Sequence, residues 1–134
     1  MSDLVSELKH EHSDITDTLK MVLKLGVNSG EGKRLLFSAR SDLLAHLEKE
    51  DMRLYPVLWK EAQKNNDLKS TLELYASEME SISKLALEFF DKYEAGGDDE
   101  QFATDYKKLF RILIKRIMNE ETVLYRKYDE LDCQ

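Results

Sequence analysis

The chain has 134 residues and a mass of 15.7 kDa, the size of one domain, so residues 1–134 are expected to fold around a single core. Its 20 Lys+Arg against 27 Asp+Glu leave a formal net charge of −7, a surface that repels phosphate backbones and disfavours nucleic-acid binding. Hydrophobic residues at 42% and charged residues at 35% supply enough apolar material for a core and too much for a disordered chain.

Five Gly and one Pro are too few for the turns that a sheet protein needs, which points to a few long elements. The single cysteine, Cys133, lies beside the C-terminus with no second thiol for a disulfide or a shared metal; it reads as an exposed tail thiol. No apolar signal-peptide stretch opens the chain, and apolar runs elsewhere are short and broken by Lys or Arg. No membrane span is expected, and a reducing cytoplasm is the default compartment.

In chain order, Leu4, Leu8, His12, Ile15, Leu19 and Val22 recur at three- and four-residue steps, one stripe along a first helix that Ser2 can cap. Gly26-Val27-Asn28-Ser29-Gly30 has the chemistry of a turn. A second stripe follows through Leu36, Leu43, Leu47, Glu50, Leu54 and Leu58, with Pro56 predicting a kink or a late break. After a polar connection from Lys64 to Asp67, the third helix carries Leu72, Tyr75, Met79, Ile82, Ala86, Phe89 and Tyr93 in a heptad-like spacing without a gap. Gly96-Gly97-Asp98-Asp99 ends it and caps the fourth, whose stripe runs Phe102, Tyr106, Leu109, Leu113, Arg116, Glu120, Leu124 and Tyr128. Four amphipathic segments joined by short polar loops predict an all-α, up-down-up-down antiparallel four-helix bundle.

The two halves resemble each other. Glu11-His12-Ser13-Asp14-Ile15 reads against Glu78-Met79-Glu80-Ser81-Ile82, and Glu50-Asp51-Met52-Arg53-Leu54-Tyr55 against Glu120-Glu121-Thr122-Val123-Leu124-Tyr125. The second displacement is slightly the larger, a difference that the turn around Gly96 can absorb, so a duplicated helical hairpin is plausible.

Ionisable groups on apolar stripes are the informative anomaly, because burying one without a partner costs several kcal/mol or forces it to neutralise. His12 lies between Leu8 and Ile15, His46 and Glu50 are four apart on helix 2, and Arg116 and Glu120 repeat that spacing on helix 4. Such pairs project from one helix face and can converge inside a bundle. A histidine–glutamate pair at this spacing is also an ordinary surface motif; the flanking Leu43, Leu47 and Leu54 argue for the interior. His10, off the stripe, reads as exposed, Met79 as core filler, and Asp51 and Glu121 as lying outside the site. Tyr55 and Tyr125, at matching positions of the halves, are placed to hydrogen-bond near the cluster. No nucleophile–base set or phosphate loop appears, so hydrolases and nucleotide binders lack support.

The pattern resembles the hemerythrin-like, or HHE cation-binding, family over essentially the whole chain. The resemblance rests on Lys9-His10-Glu11-His12-Ser13-Asp14-Ile15 in helix 1 and on His46-Leu47-Glu48-Lys49-Glu50 continuing to Pro56 in helix 2. That family carries a His on helices 1 and 3 and a His-x-x-x-Glu or close variant on helices 2 and 4, holding two irons. Here Met79 stands where the helix 3 His would be, and Arg116-Ile117-Met118-Asn119-Glu120 keeps only the carboxylate of the helix 4 motif. The resemblance implies one remaining metal position, with His12, His46, Glu50 and Glu120 as ligands, suited to Fe(II) first and also to Mn(II) or Zn(II). Met79 and Arg116 replace the second position, so an intact dinuclear oxygen carrier is not expected.

Two readings remain open. In one, a depleted site holds at most one ion and serves metal or small-ligand sensing or storage, with oxygen or nitric oxide as the small ligand; an oxidase or nitric-oxide-handling enzyme would need an open coordination position. In the other, the bundle is metal-free, Arg116 pairs with Glu50 and Glu120, and the surface binds a protein partner as an interaction or regulatory domain.

Overall fold

The computed structural model describes residues 2–132; Cys133 lies outside them. Helices α1 (Asp3–Leu25), α2 (Gly30–Lys49), α3 (Tyr55–Ala62), α4 (Asn66–Tyr93), α5 (Asp99–Asn119) and α6 (Tyr125–Asp132) form four rods. The second rod is α2 and α3 joined through a π-helical turn at Glu50–Leu54, and the fourth is α5 and α6 joined the same way at Glu120–Leu124. The result is an all-α four-helix bundle, and among the described residues there is no strand.

Each rod starts on a side chain that satisfies an otherwise orphaned backbone N–H. Ser2 accepts from Val5, Ser29 from Gly32, Asn65 from Leu68 and Asp98 from Gln101. Gly26, at φ +87°, closes α1 in a backbone conformation that side-chain-bearing residues avoid. The second connection is shorter than the polar run suggested, because Asn65 caps a helix that already includes Asn66 and Asp67.

Pro56 does not break the second rod. It sits in the first turn of α3, where its missing N–H costs nothing, and the bend precedes it as the π-helical turn. The fourth rod makes an equivalent turn with Arg126 at the matching position, so proline is not its cause. Both turns begin at a buried glutamate, Glu50 or Glu120, and π-helical turns often accompany functional side chains.

The core is divided along the bundle axis. One apolar cluster gathers Ile15, Leu19, Leu36, Leu43, Phe89, Phe102 and Leu113; the other gathers Leu4, Leu8, Leu54, Leu58, Leu72 and Tyr125. Between them lie His12, His46, Glu50, Arg116 and Glu120, each at most 6% exposed. The third rod departs from the gapless stripe read in the sequence. From Ala76 to Leu85 no residue is fully buried, and Met79 and Ile82 are only partly covered. The reason is local: α4 passes the polar layer with open grooves of about 500 and 440 Å³ on its two sides.

Candidate metal centre

His12 reaches the layer from α1, where Leu8 and Ile15 anchor the same face in the two apolar clusters. His46 and Glu50 reach it from the second rod, one helical turn apart. Potential ligand atoms of His12, His46 and Glu50 all lie within 4.8 Å of one another. The imidazole rings lie 4.5 Å apart between centroids, tilted by 52°, and His46 Nε2 is 3.6 Å from a Glu50 oxygen.

The outer nitrogen of each ring is held by a carboxylate. His12 Nδ1 is 2.9 Å from Glu121, and His46 Nδ1 is 2.8 Å from Glu11, which Lys49 also contacts. A carboxylate can only accept, so in the neutral rings Nδ1 carries the hydrogen and Nε2 turns a lone pair inward. Burial and the nearby His46 ring push the His12 pKa down, outweighing the hydrogen bond that His12 donates to Glu121, which favours the neutral ring. Burial raises the Glu11 carboxyl, but the hydrogen bonds from Lys49 and His46 win and keep it below its ordinary range.

Tyr125, fully buried, donates its hydroxyl hydrogen to Glu50 at 2.8 Å and lies 3.2 Å from His12 Nε2. Burial and the nearby Glu120 and Glu50 carboxylates push its pKa strongly upward, so it stays a donor. Glu120 stands beside the three-residue cluster rather than within it. One of its oxygens is 3.6 Å from His12 Nε2 and the other 3.7 Å from Arg116 Nε. Burial, then the neighbouring Glu50 charge, raise the Glu120 carboxyl well above its usual range, against the pull of Arg116.

The other half of the layer repeats this scheme with different chemistry. Arg116, the counterpart of His46, contacts Glu78, the counterpart of Glu11, at 3.5 Å. Its Nη2 donates to Tyr55 at 3.2 Å, and the guanidinium lies over the Tyr75 ring at 4.7 Å. Met79 occupies the place of His12 and lines both the inner cavity and the groove that holds Asp51 and Tyr55.

The donor set fits a divalent cation on an observation of its own. His46 Nε2 is buried without a hydrogen-bond partner, and leaving such a group unmet is costly. A cation is the natural partner for an inward imidazole lone pair beside a carboxylate. The pairing of both rings with outer carboxylates is the arrangement that fixes metal-binding histidines in orientation and tautomer. The second position does not fit a cation, because it offers a thioether and a guanidinium.

Glu121 was read from the sequence as lying outside the site, and the structure corrects this. Its carboxylate holds His12 because the π-helical turn at Glu120–Leu124 brings two consecutive glutamates against α1. Glu11 was missed as well. The signal in the sequence is the acidic residue adjoining His12 and Glu120, Glu11 and Glu121 respectively, but each serves the histidine across the bundle rather than its own neighbour. His10 is exposed and pairs with Asp14 at 3.3 Å.

Fold and site together define a helical bundle with a buried imidazole–carboxylate cluster of the kind that binds cations. The hemerythrin HHE cation-binding domain matches residues 3–128, and the chain belongs to that family. No curated protein and no solved structure matches it.

Proposed function

We propose that this hemerythrin-family domain holds one divalent cation in the half of the bundle that keeps its histidines. His12, His46 and Glu50 would be its ligands, Glu120 the further carboxylate facing it, and iron the first candidate ahead of manganese or zinc. The observation that carries this reading is the inward, unpartnered Nε2 of buried His46, in a ring oriented from behind by Glu11. When bound, such an ion supplies a Lewis-acidic centre and, if it is iron, a one-electron redox couple.

The role that fits is sensing or storage of the metal or of a small ligand such as oxygen or nitric oxide, in the cytoplasm. The cavity bounded by His12, His46, Glu50, Glu120, Met79 and Arg116 measures only about 30 Å³. By the usual requirement of roughly 10–15 Å³ per water it has room for about two water-sized bodies and no organic substrate. Among the described residues no helix is long and apolar enough to cross a membrane.

The test is metal analysis of protein expressed with iron, manganese and zinc available and purified without chelator. Near one ion per chain is expected, falling to background in a His46→Ala, Glu50→Ala variant. Equal metal content in the two proteins overturns the reading.

The alternative is a metal-free bundle that acts through a protein partner. The contacts of Arg116 with Glu120, Glu78, Tyr55 and Tyr75 favour it. They do not complete the polar layer: Arg116 Nε and Nη1, Glu120 Oε2 and His46 Nε2 are left without hydrogen-bond partners.

A further inference from the structure

Arg116 is 3% exposed, yet two of its three guanidinium nitrogens, Nε and Nη1, are buried with no hydrogen bond. Its carboxylate neighbours stand off at 3.7 Å (Glu120) and 3.5 Å (Glu78), too far for the charge-assisted bonds that a buried guanidinium ordinarily makes. The side chain lines the same small cavity as His12, His46 and Glu50. A fixed positive charge with spare donors thus borders the space next to the proposed cation.

A divalent cation (+2) and a guanidinium (+1) outweigh the Glu50 and Glu120 carboxylates (−2) that line the same small, buried space, which favours a negatively charged occupant over a neutral one, since such attractions are strong away from bulk solvent. With the cation in place, the cavity keeps room for about one more water-sized body. A longer ligand has to move a wall, and Met79 is the wall most able to move. It has an unbranched, flexible side chain, and behind it lies the groove of about 500 Å³ bounded by Tyr55, Pro56, Trp59 and Ala76.

We propose that Arg116 is the specificity-determining residue of this site, and that it favours an inorganic monoanion, held by the guanidinium beside the cation, over neutral ligands such as oxygen or nitric oxide, with Met79 yielding to admit it. This rests on the single-cation reading above. In the second half of the bundle the arginine then has a recognition role in addition to its charge.

The probe is azide, titrated into the Co(II)-loaded protein and followed by the visible spectrum, with metal content measured first. The Arg116→Met variant should bind azide at least about tenfold more weakly than the wild type, as expected for loss of charge-assisted donors, and Arg116→Lys should recover part of the loss. Nitric oxide, being neutral, should bind the Fe(II)-loaded forms with less than about threefold change. Equal azide affinity in metal-loaded wild type and Arg116→Met overturns the inference and leaves the cation reading standing. Failure of the wild type to load any metal overturns both. Should Arg116→Met not fold, the wild type decides: in Zn(II)-loaded protein with ¹⁵N-labelled arginine, azide must shift the Arg116 Nε–H resonance. No shift at concentrations that saturate the Co(II) form overturns the inference.

Discussion

Replacing Tyr125 by phenylalanine should make the protein less stable without metal and, at the same time, a tighter metal binder. The ring fills the same volume and keeps its stack on His12, at 5.6 Å between centroids; only the hydroxyl is lost. That hydroxyl donates to Glu50 Oε2 at 2.8 Å and lies 3.2 Å from His12 Nε2, so it occupies two of the groups proposed to hold the cation. In the metal-free protein its removal strips a buried carboxylate of a donor, a loss of about 2 kcal/mol. At roughly 2.1 cal/mol/K of unfolding entropy per residue, that lowers the melting temperature of this chain by about 7 °C. With a cation present the carboxylate has a better partner, and the loss should shrink to about 0.5 kcal/mol. The difference, about 1.5 kcal/mol, appears as affinity roughly tenfold tighter. Thermal melts in chelator, together with competition for Zn(II) against a chromogenic chelator, measure both halves. A variant that melts like the wild type in chelator, or binds metal no more tightly, refutes the idea that the tyrosine competes with the cation.

The outer carboxylates should act in the opposite sense. Glu11→Gln and Glu121→Gln leave the inward atoms in place but loosen the rings they hold, and each should weaken metal binding about 10- to 100-fold in the same competition assay. The double change Met79→His, Arg116→His rebuilds in the second half what His12 and His46 provide in the first, with Glu78 already placed behind position 116; metal content should rise from one ion to two per chain. Away from the site, Asp105 is held below its ordinary pKa by bonds from Lys92 and Tyr93. A depressed carboxyl stabilises the fold above its unfolded pKa, and that contribution disappears as pH falls through the folded value. Asp105→Asn should therefore cost about 1 kcal/mol at pH 7, with the gap to wild type closing below about pH 4 in denaturant titrations.

The helices and the inward placement of His12 and Glu50 are legible because burial in a bundle follows a 3.6-residue period, and a polar residue at a core position stands out against it. The caps are legible for the same local reason, as with Ser2 and Asp98. The π-helical turns are not. Glu50–Leu54 and Glu120–Leu124 share no breaker residue; what they share is a buried glutamate at the start and a buried leucine at the end, and burial of both is a tertiary feature. Pro56 drew the kink to itself because proline is the local cause one can read. The open middle of α4 is hidden for a different reason: Met79 and Ile82 are apolar, in register and packed inward, but the grooves on either side leave them only partly covered, and the periodicity of one helix does not describe what flanks it. Glu121 was lost because its role depends on a helix distant in sequence.

That third rod has a mechanical consequence. It is pinned at one end by Leu68, Leu72 and Tyr75 and at the other by Ala86, Phe89, Phe90 and Tyr93, while the stretch from Ala76 to Leu85 has no fully buried side chain. Such a beam, clamped at both supports and held at midspan only by the partly covered Met79 and Ile82 and the contact of Glu78 with Arg116, should bow outward more readily than it loosens at either end. Opening there involves the fewest packed atoms, so backbone amides near Met79 should exchange with solvent ahead of those at either support, and traffic to the buried layer need not unzip the bundle.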